Sequence, residues 1–74
     1  MDKEFSYKVI REIAVLSERT NGWTKQLNLI SWNDGEPKYD IRDWGPDRGK
    51  MGKGITLTPA ELQSLTDALD QLEL

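Results

Sequence analysis

Apolar residues alternate with polar ones through three stretches of this chain and recur at helical spacing through one, at its end. Phe5, Tyr7 and Val9 alternate with Ser6 and Lys8, which is the strand period. From Ile10 to Leu16 the alternation slips, and a bulge or bend near Arg11 would reset it within one long strand. A helix over Tyr7 to Leu16 competes, because Ile10, Ile13 and Ala14 also have helical spacing. The strand is preferred. Ser17 to Gly22 carries an Asn-Gly turn signal. Trp23 to Trp32 then alternates clearly, with Leu27 and Leu29 on one face and Thr24, Gln26, Asn28, Ile30 and Trp32 on the other.

Asn33 to Glu36 reads as a hairpin turn with Gly35 at positive φ, and Pro37 stands just outside the next strand. In Lys38 to Trp44, Tyr39 and Ile41 face the core with Leu27 and Leu29. Lys38, Asp40, Arg42 and Trp44 face the other way. Gly45 to Gly54 is a glycine-rich basic loop, and Ile55 to Leu57 a short last strand. Thr58, Pro59 and Glu61 compose a helix start with a capping box. Leu62, Leu65, Leu69 and Leu72 follow as one apolar seam expected to cover the core face of the sheet. The fold class is α+β, with a four-stranded antiparallel sheet followed by one C-terminal helix, ββββα. Residues 1–74 make one domain.

Composition narrows the chemistry. A chain of 74 residues buries only about 60% of its unfolded surface as a monomer, so oligomerisation is a route to further burial. With no cysteine and no histidine, disulfides, histidine-based nucleophiles and the common zinc sites are excluded. No apolar run reaches membrane-spanning length, and MDKEFSYK lacks the apolar core of a signal peptide. The missing cysteines and the missing signal both fit a cytoplasmic location, nucleoid association included.

The net charge of −3 argues against a polyanionic ligand, but its distribution argues otherwise. All ten Lys and Arg lie at or before Lys53, and the charges after Thr58 are Glu61, Asp67, Asp70 and Glu73. Either the acidic helix has an ordinary solvated face, or charge is segregated to free a basic surface.

No catalytic set emerges. Asp40 and Asp43 flank Arg42, and Asp34 and Glu36 sit in a turn; surface ion pairing suits each of them. The basic loop is no P-loop, because Lys53-Gly54 leads into a strand. It either touches a nucleic-acid backbone or is solvated. Trp32 and Trp44 beside Lys38 and Arg42 form either a packing cluster or a stacking platform for unpaired bases. Strict alternation points Lys25 to the opposite face, with Leu27.

The ordered segments Tyr39-Asp40-Ile41-Arg42-Asp43-Trp44 and Lys50-Met51-Gly52-Lys53-Gly54-Ile55-Thr56-Leu57-Thr58-Pro59-Ala60-Glu61 resemble the transcriptional positive cofactor four family. The nearest likeness is to its short bacterial YdbC-like branch, which Gly22-Trp23-Thr24-Lys25 and Trp32 also resemble. The resemblance covers nearly the whole chain. It implies a homodimer that binds single-stranded DNA with little sequence preference, leaves RNA open as a ligand, and serves transcription regulation or DNA maintenance. It implies neither cofactor, metal, small-molecule substrate nor membrane. Trp32 and Trp44 would stack bases. Lys25, Lys38, Arg42, Lys50 and Lys53 would meet phosphates, and Gln26 and Asn28 would bond bases or sugar. The competing function is a protein-interaction module that uses the same Trp and Arg face.

Overall fold

The computed structural model describes residues 5–72, so Glu73 and the first four residues of the N-terminal segment lie outside the described part. Four strands, β1 (Tyr7–Glu18), β2 (Thr24–Trp32), β3 (Lys38–Trp44) and β4 (Met51–Leu57), make one antiparallel sheet in sequential order. Helix α1 (Pro59–Asp70) follows. This is the expected ββββα arrangement.

The slipped alternation in β1 has a repeated cause. Its register against β2 shifts between Val9 and Arg11, between Glu12 and Ala14, and between Val15 and Ser17. Ile10, Ile13 and Leu16 are therefore left without cross-strand partners. The sequence points to one bulge near Arg11, and β1 has two more. Because the extra residues recur every third position and are apolar, they imitate helical spacing. Bulges bend a strand and increase its twist.

Two turns differ from expectation in detail. Between β2 and β3 the left-handed residues are Asn33 (φ 50°) and Asp34 (φ 63°), and Gly35 has no positive φ. The Gly35 amide donates to the Trp32 carbonyl at 2.8 Å, so this is a two-residue turn of the twist that hairpins favour. Asn and Asp tolerate that region because their short polar side chains bond locally. The end of the glycine-rich stretch after β3 is strand rather than loop. Only Pro46–Arg48 forms a short 3-10 turn, and β4 begins at Met51, four residues before the expected Ile55. Gly54 permits this close pairing: a Cβ there would collide with that of Arg42 and lie 2.5 Å from the Ile41 carbonyl oxygen.

The helix start is as expected. Thr58 Oγ1 accepts from the Glu61 amide at 3.1 Å, and Glu61 Oε1 accepts from the Thr58 amide at 2.9 Å. The core is not where the alternation places it. Ile30, Asp40 and Trp44 are fully buried and Asn28 is 1% exposed; all four lie on the face expected to be open. Leu27, Leu29, Tyr39 and Ile41 are only half-buried, and Ile55 is 57% exposed. Helix α1 leans mainly on β3 and β4, so its leucines do not roof the Leu27–Leu29 face. Large aromatic rings, with the 3-10 turn folded over them, cover the other face instead.

Candidate nucleic-acid interface

The aromatic face begins at the β2–β3 turn. Asn33 holds Ser6 from both sides: its amide donates to the Ser6 carbonyl at 2.8 Å, and its Oδ1 accepts from the Ser6 amide at 2.9 Å. These bonds extend the β1–β2 pairing beyond Tyr7 and Trp32, which face each other across the ladder. Phe5 is thereby set 5.9 Å from Trp32, centroid to centroid, and Tyr7 bridges Trp32 at 5.8 Å and Trp44 at 5.7 Å. The rings are tilted rather than stacked on each other, a favourable arrangement for aromatic pairs. Phe5 is 64% exposed, Tyr7 is exposed and Trp32 half-buried.

Arg42 stands 5.1 Å above the Trp32 ring. Its Nε and Nη2 donate to the two carboxylate oxygens of Asp40, each at 2.9 Å, and its Nη1 donates to the Gly52 carbonyl at 3.1 Å. Thr56 Oγ1 donates to Asp40 Oδ2 at 3.0 Å. The pKa of Arg42 is raised, first because Asp40 accepts its hydrogen bonds, against an opposing effect of burial. The ion pair expected at the surface for Asp40 is thus buried. Three of the five N–H donors of Arg42 are used inside the protein, where its guanidinium supports the Trp32 ring.

Trp44 is likewise corrected. It is wholly buried, with Tyr7 on one side and the Arg48 guanidinium 5.8 Å from its ring. A base cannot reach it in this conformation. Its indole N–H and that of Trp32 are buried without hydrogen-bond partners among the described residues.

The remaining predicted residues divide between the faces. Lys38 is exposed and lines a cleft with Phe5, Trp32, Met51 and Thr56. Gln26 and Asn28 share that face, and Asn28 Nδ2 donates to Gln26 Oε1 at 3.1 Å. Lys25 and Lys53 line a different cleft with Ile41, Asp43 and Ile55, away from the rings, and Lys25 Nζ lies 4.0 Å from Asp43 Oδ1. Lys50 is exposed where the loop closes, its carbonyl accepting from the Gly45 amide at 2.8 Å. Among the described residues, no group of three or more carboxylates converges to hold a metal ion, and no helix is long and apolar enough to cross a membrane.

Three residues of this face escape a reading of the strands one at a time. Phe5 and Tyr7 are legible only as neighbours of Trp32, which requires the hairpin register of β1 on β2. Arg48 is reached through the 3-10 turn, where Asp47 and Arg48 both adopt φ 56°, a conformation no periodicity announces.

Residues 20–68 match the model of a family described as Transcriptional Coactivator p15 (PC4). An uncharacterized protein of Treponema pallidum (strain Nichols) is 49% identical over 74 residues, which is 100% of this chain and 87% of that protein.

Proposed function

Because the chain belongs to the Transcriptional Coactivator p15 (PC4) family, we propose that it binds single-stranded DNA with little sequence preference, through the aromatic face of its sheet. The observation that carries this reading is the accessible ring edge formed by Phe5, Tyr7 and Trp32 beside the exposed cation of Lys38. Unpaired bases stack on such rings whatever their identity, and a neighbouring lysine attracts the phosphate between them. Trp32 is the principal platform, with Arg42 buttressing it from within. Lys50 meets the backbone at the loop end. The acidic residues of α1 stay away from the strand, which reconciles a net charge of −3 with a polyanionic ligand.

The protein works as a homodimer in this reading. The open leucine seam of α1 supplies the apolar surface, and pairing leaves the aromatic faces free. No catalytic step and no cofactor is involved.

A titration with oligo-dT, followed by tryptophan fluorescence and by amide shifts, tests the proposal. Quenching is expected, with shifts centred on Phe5, Tyr7, Trp32 and Lys38, and affinity that falls with salt by a log–log slope of about −0.7 per phosphate neutralised. Absence of binding at low salt, or shifts confined to the Lys25–Lys53 face, would overturn it.

A further inference from the structure

On the same sheet face, a separate cavity of about 220 Å³ opens beside the bulged part of β1. Glu12, Ala14, Val15, Gln26, Asn28 and Arg48 line it. We propose that it takes one unpaired base of the bound strand and prefers guanine. The inference rests on the strand-binding reading above and adds to it a position at which sequence matters.

The hydrogen bonds around Gln26 set the polarity of the cavity. Arg48 donates to Gln26 Oε1 from Nε at 3.2 Å and from Nη2 at 3.1 Å, and Gln26 Nε2 donates to Thr24 Oγ1 at 2.8 Å. The amide oxygen of Gln26 is therefore fixed, because Arg48 has donors only. Asn28 must then turn its NH₂ toward that oxygen, which leaves its own Oδ1 with no hydrogen-bond partner among the described residues. Asn28 is only 1% exposed. Because Asn28 lines the cavity, this oxygen can accept from a ligand bound there.

Two other groups complete the cavity. Glu12 uses Oε2 to pair with Arg48 Nη2 at 3.0 Å, and its second oxygen is open. Arg48 Nη1 has no partner among the described residues. The cavity thus offers two acceptors, one of them charged, next to a donor. Guanine carries the complement on one edge: N1–H and N2–H as adjacent donors, then O6 as acceptor. Thymine would set carbonyl oxygens against the Glu12 carboxylate, and a phosphate would meet the same repulsion. Ala14 and Val15 add apolar surface to its lining. At about 220 Å³ the space falls below the roughly 300 Å³ where small-molecule sites usually begin, which suits a single base.

The test compares oligo-dT with the same oligonucleotide carrying one central dG, dA or deoxyinosine, using wild type and Glu12→Ala. Glu12 is 69% exposed at its side chain, so its removal leaves the fold intact. The dG oligonucleotide should bind roughly fivefold or more tightly than oligo-dT. It should also exceed dA, which controls for purine stacking, and deoxyinosine, which lacks the N2 amine. In Glu12→Ala the ratio of dG to dT affinity should fall to about one. Equal affinity for dG and dT in wild type overturns the inference while leaving the strand-binding reading standing, as does a dG preference that survives Glu12→Ala. Failure of every oligonucleotide to bind overturns both.

Discussion

Asp40 and Arg42 sit two residues apart on one face of β3, joined by a pair of 2.9 Å hydrogen bonds, with the carboxylate completely buried. Thr56 and the Gly52 carbonyl use further polar capacity of the pair, so each partner is tied to β4 as well as to the other. The same guanidinium covers one face of Trp32. The acidic-basic run of β3 is therefore a support for the aromatic face. Since the pKa of Arg42 is raised in the fold, its contribution to stability is complete below its unfolded value. That contribution is lost only as pH rises through the still higher folded value, so no loss from this group is expected near neutrality.

Asp40→Asn should be among the most damaging single substitutions. It keeps the shape but leaves Arg42 largely buried opposite a neutral amide. Breaking a buried pair from one side costs about 3–5 kcal/mol. Urea denaturation should show the midpoint falling accordingly; a loss under about 1 kcal/mol, the usual worth of an exposed pair, would show the pair to be dispensable.

The two tryptophans of this face should separate stability from binding. Trp44→Phe should lower the unfolding midpoint, because the wholly buried ring loses volume, yet leave oligo-dT affinity near wild type once the protein is folded. Trp32→Ala should cost about 1–3 kcal/mol of binding energy, the usual worth of one stacked base. A Trp44→Phe variant that folds normally but no longer binds would reverse these assignments.

Charge reversal should depend on the face. Lys38→Glu is expected to weaken oligo-dT binding and flatten the salt slope by about 0.7 or more, one phosphate contact having become a repulsion. Lys53→Glu, on the side of Ile41 and Ile55, should change the slope less. Equal effects from both would mean that the strand wraps around the sheet edge.

The order of elements, the strand alternation and the capping box at Thr58 are legible in the chain, because each is written in neighbouring residues. The buried face is not. Alternation separates Leu27 and Leu29 from Asn28 and Ile30 correctly, but it cannot say which side is covered. That depends on where α1 lands and on Arg48 reaching back across Trp44, both set by contacts distant in sequence. For the same reason Trp32 and Lys38 keep their place at the candidate interface, while Trp44 and Arg42 become its interior. Lys25 and Lys53 fall on the other side because each shares its strand's face with Leu27 or Ile55.

The last prediction concerns the surface that α1 leaves open. Leu65, Leu69 and Leu72 are exposed, and Ile55 with them. The accessible area is 5877 Å², against roughly 4,700 Å² for a compact monomer of this size. The difference exceeds the roughly 800 Å² that each partner contributes to a standard interface. A second copy seated on this seam would bury apolar side chains worth about 1.5–3 kcal/mol each when fully covered. Leu69→Glu, in the middle of the seam, should therefore convert a dimer to a monomer in sedimentation and lower the unfolding midpoint, since folding and pairing are then linked. Wild type sedimenting at one chain mass at working concentration would remove the premise.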